Sequence, residues 1–223
     1  DGFDIAGENV YIHDCEIWND DDCIAVKPQN TQSLQSNCSR NMLFERLNAS
    51  GLGLTIGSVG PSTYHSCVDN ITFRDVFMYR TFKGLYIKSD PGHQGETGQI
   101  SNILYENINM IEPTQYSIWI GPQQAIYDGC CDLLWPEDPF APCPVPPYTI
   151  FSNITLRNIT IDSPRHSPGV ILGNDTAPIK NIIFDHVVAI NPGIHPFNGS
   201  YACDGVINAI ATNGTQPKPP CFN

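Results

Sequence analysis

Asn70-Ile71-Thr72-Phe73 is one of six short runs in which an asparagine opens a stretch of alternating apolar residues. The others are Asn9-Val10-Tyr11-Ile12, Asn41-Met42-Leu43-Phe44, Asn102-Ile103-Leu104-Tyr105, Asn153-Ile154-Thr155-Leu156 and Asn181-Ile182-Ile183-Phe184. In chain order the asparagines lie 32, 29, 32, 51 and 28 residues apart. A degenerate repeat of this period is the mark of a solenoid. Most units carry a second run about 15 residues further on: Ile24-Ala25-Val26-Lys27, Leu54-Thr55-Ile56-Gly57, Leu85-Tyr86-Ile87-Lys88, Ile118-Trp119-Ile120-Gly121 and Val170-Ile171-Leu172-Gly173. Both kinds of run are short and rich in β-branched and aromatic residues, so they read as strands.

Several short strands per unit, with no amphipathic helix between them, describe an all-β parallel β-helix. Parallel crossovers almost always take the right hand, so a right-handed solenoid is expected. Asparagine tolerates the left-handed backbone of a tight turn. Stacked on its counterparts above and below, its amide can build a hydrogen-bonded ladder. A β-sandwich using asparagine as a generic turn residue would not repeat two runs in the same order. Alternation nominates inward stacks from Val10, Ile12, Ile24, Val26, Ile56, Phe73, Ile87, Ile103, Ile120, Ile154, Ile171 and Ile182.

The solenoid is expected over residues 1–191. Residues 124–150 interrupt it with six prolines and three cysteines, which suits an insertion loop. Residues 192–223 are punctuated by proline and read as a tail packed on the solenoid, with one further short strand near Val206–Ile210. Asp1 stands inside the first repeat with no polar cap before it, so further coils are expected upstream.

At 223 residues the chain can bury one sizeable core. Its net charge of −12 and pI near 4.6 argue against nucleic acid and anionic membrane partners, which need basic patches. No run of about 18 apolar residues offers a membrane span, and no signal-peptide pattern opens the sequence. An acidic polysaccharide stays open as a partner if a local cationic site exists.

Eight N-x-S/T sequons, at Asn37, Asn48, Asn70, Asn153, Asn158, Asn174, Asn198 and Asn213, point to a secreted glycoprotein carrying N-linked glycans. Nine cysteines agree with an oxidising compartment. Cys23 and Cys38 flank one loop, Cys203 and Cys221 would staple the C-terminal segment, and Cys143 could close the insertion onto Cys130 or Cys131. Cys15 and Cys67 have no evident partner, and the odd count leaves at least one thiol free or intermolecular. No C-x-x-C or H-x-x-x-H pair suggests a metal, and no cofactor is implied.

The chemistry concentrates at Asp1-Gly2 and Asn19-Asp20-Asp21-Asp22-Cys23. Coils of a β-helix stack about 4.8 Å apart, so corresponding positions converge on one wall. Several carboxylates there repel one another, so one is expected to hold its proton above the usual Asp range while the others stay ionised. General acid and base work on a glycosidic bond needs that asymmetry. A calcium site or a solvated acidic turn is the competing reading.

These residues resemble the polygalacturonase-type glycoside hydrolases, family 28. Those are right-handed parallel β-helices with motifs N-T-D, G-D-D-C, G-H-G-x-x-x-G-S and R-I-K. Asp1-Gly2-Phe3-Asp4-Ile5 stands where the first motif ends. Asp21-Asp22-Cys23 matches the second, with Asp20 in place of its glycine. Gly51-Leu52-Gly53-Leu54-Thr55-Ile56-Gly57-Ser58 resembles the third, and Tyr86-Ile87-Lys88 the fourth. The resemblance implies Asp21 as the general acid and Asp1 and Asp22 as activators of water, in an inverting hydrolysis. It implies Lys88, with Tyr86 and Tyr116, at the substrate; a solvated surface lysine is the plainer reading of Lys88.

Leu52 replaces the motif histidine and Tyr86 the motif arginine. Lysine does not reproduce the bidentate grip of arginine on a uronate carboxylate. These departures argue against ordinary homogalacturonan cleavage. Relatives resembling rhamnogalacturonan hydrolases also lack this histidine and arginine yet keep the aspartates. The motif cysteine before the third motif is absent too, with sequon Asn48 in its place, so Cys23 needs another partner such as Cys38. Three functions are therefore open: a pectinase-like hydrolase, a catalytically lapsed structural subunit of an extracellular fibre or coat held by self-assembly or by other subunits, and a carbohydrate-binding surface.

Overall fold

A computed structural model describes residues 1–29, 37–122, 145 and 147–223. The described residues contain strands and no helix. One seven-stranded sheet is built from β1 (Phe3–Ile5), β3 (Asp22–Val26), β5 (Gly53–Val59), β7 (Leu85–Ser89), β9 (Ile118–Pro122), β11 (Gly169–Leu172) and β13 (Tyr201–Asp204), in that order. The second sheet runs through β2 (Glu8–Glu16), β4 (Asn37–Ala49), β6 (Ser66–Tyr79), β8 (Gly98–Ile111), β10 (Thr149–Asp162), β12 (Ile179–Ile190) and β14 (Val206–Ile207), with β15 (Ile210–Thr212) also on β12. Strand pairing is parallel throughout both sheets, as a parallel β-helix requires.

The six repeat asparagines all adopt left-handed backbone, with φ between 54° and 59°. Their amides form the ladder. Asn70 Nδ2 donates to Asn41 Oδ1 at 2.9 Å, Asn153 Nδ2 to Asn102 Oδ1 at 3.0 Å and Asn181 Nδ2 to Asn153 Oδ1 at 2.9 Å. Between Asn70 and Asn102 the ladder detours, because Asn102 donates to Asp69 instead, at 2.7 Å. A second left-handed corner follows five residues after each asparagine, at Asp14, Arg46, Asp75, Asn107, Asn158 and His186. Each long strand is thus bent twice and wraps the core.

The core is a set of stacks between the sheets. Phe44, Phe73 and Tyr105 stack with centroids 4.9 and 5.0 Å apart. The nominated stack residues from Ile24 to Ile182 are buried, whereas Val10 and Ile12 are only partly covered, because β2 has a neighbouring strand on one side alone.

Two expectations need revision. Cys38 bonds not to Cys23 but to Cys67, its register partner one coil on, at a Cα separation of 4.3 Å. Cys23 instead points into the core as a buried thiol, and burial pushes its pKa up to about 11. Residues 192–223 do more than lie on the solenoid: β13, β14 and β15 extend both sheets. Cys203 and Cys221 form a disulfide across that last coil. Cys130, Cys131 and Cys143, with most of the 124–150 insertion, lie outside the described residues.

Candidate active site

The seven-stranded sheet carries the acidic wall. Outward positions of successive coils stand in register, so Asp4, Ala25, Thr55, Tyr86 and Trp119 form one row. At β3 the register shifts between Asp22 and Ile24. Consecutive Cys23 and Ile24 both enter the core there, which strict alternation forbids. Such an irregularity is a common way to re-aim a side chain beside a site.

Carboxylate oxygens of Asp1, Asp21 and Asp22 lie within 4.8 Å of one another. Asp22 is nearly fully buried and held from two coils: the Thr55 hydroxyl donates to Oδ1, and Lys88 Nζ stands 3.1 Å from Oδ2. Asp1 faces Lys27 Nζ at 3.6 Å, and that lysine also pairs with Asp4 at 2.8 Å. Asp21 is exposed, meets no cation among the described residues, and accepts the Asp22 amide at 2.8 Å.

The turn that presents Asp21 and Asp22 is itself fixed. Asn19 Nδ2 donates to the carbonyls of Asp21 and Asp22 at 3.0 and 2.8 Å. Asn19 N in turn donates to Ser50 Oγ at 2.8 Å. Gly51 has φ of 61°, and a Cβ there would collide with the Asp21 carbonyl oxygen, which explains a glycine at this contact. The next residue, Leu52, donates its amide to that same carbonyl at 2.8 Å.

The candidate substrate residues stand on or beneath the same wall. Lys88 faces Asp22 rather than open solvent and lies 4.5 Å from the Tyr86 ring centroid. Tyr86 and Tyr116 are buried rather than presented at the surface. Both belong to a small cluster with Trp119 that surrounds the fully buried Lys83, whose Nζ lies 4.9 Å from the Trp119 ring and bonds Gln115. Burial above all, with Lys88 adding repulsion, pushes the Lys83 amine well below the usual lysine range. Thr55, Lys27 and Lys83 were not singled out from sequence. Thr55 and Lys27 end or interrupt strand runs as ordinary outward residues, and only the stacking of coils turns them onto the carboxylates.

The trio sits between two cavities. One, of about 480 Å³, lies past the C-terminal ends of β3, β5 and β7 and is lined by Lys27, Ser58, Tyr64, Asp90 and Glu96 among others. Burial raises the Asp90 carboxyl above its usual range, opposed by a hydrogen bond from Ser58 and by the charges of Lys88 and Lys27. The other, of about 710 Å³, lies before the N-terminal ends of the same strands and includes Trp18, Asp20, Leu52 and Phe82.

The sequence profile of the glycosyl hydrolases of family 28 matches residues 1–212. An endopolygalacturonase of Emericella nidulans is 32% identical over 181 residues, covering 78% of this chain and 41% of the relative. A probable rhamnogalacturonase B of Aspergillus fumigatus is 28% identical over 203 residues, 88% of this chain and 31% of the relative. A probable endopolygalacturonase C of Aspergillus niger is 37% identical over 123 residues, 54% of this chain and 28% of the relative. The chain therefore spans well under half the length of the curated relatives it matches.

Proposed function

The chain belongs to the glycosyl hydrolases of family 28, and on that premise we propose that it is a secreted, pectinase-like enzyme. Its substrate in this reading is a rhamnogalacturonan-like or polygalacturonan-like polymer, hydrolysed with inversion. One observation carries the reading: three carboxylates converge on one wall between two open cavities, two of them facing lysines and the third free of cations among the described residues.

Asp21 is the proton donor in this scheme. It protonates the glycosidic oxygen as the bond to the anomeric carbon breaks, and the freed hydroxyl leaves with the departing sugar. Asp1 and Asp22 together hold a water and accept its proton as its oxygen attacks the opposite face of the anomeric carbon. Solvent returns the proton to Asp21 and removes the one gained by the base. Inverting pairs usually stand roughly 6.5–9.5 Å apart, and this trio is tighter. Inversion is taken from the family resemblance, and the anomer released first tests it. The two disulfides among the described residues support an oxidising, extracellular setting.

The test uses the full-length secreted protein and its Asp21→Asn variant on polygalacturonate and on rhamnogalacturonan. Reducing ends are counted, and proton NMR identifies the anomer released first. We expect turnover on one polymer, a loss of about 10²–10⁴-fold in the variant, and the inverted anomer. A wild type inert on both polymers, or a variant of unchanged rate, overturns the hydrolase reading. First release of the retained anomer overturns inversion alone.

A further inference from the structure

The sheet that does not carry the carboxylates has an outward face of its own. Between its asparagine corner and the next left-handed corner, each long strand turns two side chains outward, and register stacks them into two rows. One row is Tyr11, Leu43, Thr72, Leu104, Thr155 and Ile183, on β2, β4, β6, β8, β10 and β12 in turn. Tyr11 is 52% exposed and the other five are partly exposed. No charge interrupts this stripe, and a cavity of about 530 Å³ sinks into it beside Tyr11, Leu43, Thr72, Leu104 and Arg74. A continuous apolar stripe on a flat sheet is the mark of a contact surface. The second row, on the same strands, is His13, Glu45, Arg74, Glu106, Arg157 and Asp185. Beyond the histidine its charges alternate in sign. Within the chain Arg74 pairs with Glu45 at 2.6 Å, and Arg157 with Glu106 and Asp185 at 3.2 Å each. These bonds hold the side chains in place, yet Arg74 and Arg157 stay 41% and 50% exposed. Each guanidinium has further N–H donors to give.

We propose that this face docks a second copy of the chain, in a reversible two-fold dimer with the two solenoids antiparallel. An isologous contact needs a patch that complements itself. A two-fold axis along the strand direction, midway between β6 and β8, lays each row on its own copy in reverse order. Strand β6 then meets β8 of the second copy, β4 meets β10 and β2 meets β12. Read backwards about that point, the charged row repeats itself with every sign exchanged. Arg74 of each copy faces Glu106 of the other, and His13 faces Asp185. Glu45 is buried under its own chain's partners, so its match with Arg157 adds little. The apolar row meets itself, with Thr72 opposite Leu104 and Tyr11 opposite Ile183. Shifting the axis onto β6 or β8 would set arginine against arginine and carboxylate against carboxylate, which specific interfaces avoid. A two-fold along the solenoid would lay the charged row on the apolar one and leave charges buried unpaired. The order of residues therefore selects one orientation and one register. Six strands about 4.8 Å apart and four residues of about 3.3 Å give a face of roughly 29 by 13 Å. That is small for a specific interface, so the dimer is a reversible one. The carboxylates lie on the other sheet, so both copies keep them uncovered. The assignment does not depend on the hydrolase reading.

Sedimentation equilibrium of the full-length protein, over a wide range of concentration, tests the surface. The dimer fraction should rise with concentration and fall with added salt. Thr72→Arg puts a charge into the apolar row at an outward position and should weaken association at least roughly tenfold. Ile194→Arg, at a residue 63% exposed outside both rows, should leave it unchanged. Charge exchange tests the register. Arg74→Glu and Glu106→Arg should each lose self-association, and an equimolar mixture of the two should regain a dimer, because opposite charges then face each other at both central pairs. Thermal melts check each fold. Arg74→Glu also takes a partner from Glu45, so Thr72→Arg decides the matter if that variant does not fold. A wild type that stays monomeric at every concentration overturns the proposal, as does a dimer that Thr72→Arg leaves intact. Folded charge variants whose mixture stays monomeric overturn the register and with it the proposed dimer. A monomeric wild type whose binding of polygalacturonate falls in Thr72→Arg makes a polysaccharide the occupant and overturns the second copy.

Discussion

Lys88 Nζ lies 3.1 Å from Asp22 Oδ2, although 66 residues and one intervening coil separate them. The solenoid makes this contact possible, because β3, β5 and β7 put their outward residues on one wall. Both side chains are largely buried. Removing one partner from such a pair leaves an uncompensated charge and typically costs about 3–5 kcal/mol. Lys88→Gln should therefore lower both stability and turnover. Asp22→Asn in the same chain should recover much of the stability and none of the activity. A double-mutant cycle by thermal and denaturant unfolding checks the coupling. Additive losses would show that the two residues act separately.

Thr55 gives the same carboxylate its second hold. Its hydroxyl donates to Asp22 Oδ1, and both residues are buried. Thr55→Val keeps the shape and deletes the donor. The carboxylate then loses a buried partner, for a cost of about 1–3 kcal/mol. Turnover should fall with little change in KM, because Asp22 is misplaced rather than the substrate. Thr55→Ser should restore both. A rise in KM alone would assign Thr55 to substrate binding instead.

Acid should attack the opposite sheet first. The Glu45 carboxylate accepts from Tyr11, from Arg74 at 2.6 Å and from Arg46. The Tyr11 hydroxyl, then the Arg74 and Arg46 guanidinium groups, hold its pKa down to about 2. Asp14, bonded to Arg46 and His13, is depressed as well. A carboxyl lowered on folding stabilises the fold above its unfolded pKa, about 4.3 for Glu. That contribution is lost as pH falls from about 4 towards 2. Glu45→Gln should therefore melt lower than wild type at neutral pH, and the two should converge near pH 2. Equal gaps at both pH values would mean that Glu45 acts through packing alone.

The solenoid was legible because its period is written twice, once in the asparagines and once in the apolar runs that follow. The Asn9, Asn41 and Asn70 corners share one residue type, whereas the next corner uses Asp14, Arg46, Asp75 and Asn107. That mixture hides the second bend from any sequence pattern. Likewise Asp1, Asp21 and Asp22 stand out as a motif, but Thr55 and Lys27 reach them only through the register of neighbouring coils. Cys38 and Cys67 pair because they share a register position on adjacent coils; each lies three residues before a repeat asparagine, so their 29-residue separation repeats that of Asn41 and Asn70 and the pairing is written in the period itself. Motif position places Tyr86 and Tyr116 at the substrate, and no sequence pattern shows that both rings are buried around Lys83.

The same ladder that identified the fold sorts the sequons. Asn70, Asn153 and Asn158 each donate Nδ2 to an amide on the preceding coil, at 2.9, 3.0 and 2.8 Å. A glycan on any of them must fit between side chains about 4.8 Å above and below, a gap narrower than a sugar ring. Asn48 and Asn198 are exposed and stand outside both ladders. Asn174 is engaged with the Val145 carbonyl at 2.6 Å, and Asn213 with Asp185. The full-length protein secreted from a glycosylating host should therefore carry glycan at Asn48 and Asn198 and little at Asn70, Asn153 or Asn158. Peptide mapping after enzymatic deglycosylation in heavy-oxygen water reads each site directly. Asn153→Ala should lower stability by about 1 kcal/mol or more through two lost amide bonds and a left-handed corner. Asn48→Ala should leave the intrinsic fold stability nearly unchanged. High occupancy at Asn153 together with a neutral Asn153→Ala would show that the ladder does not hold the coils together at that position.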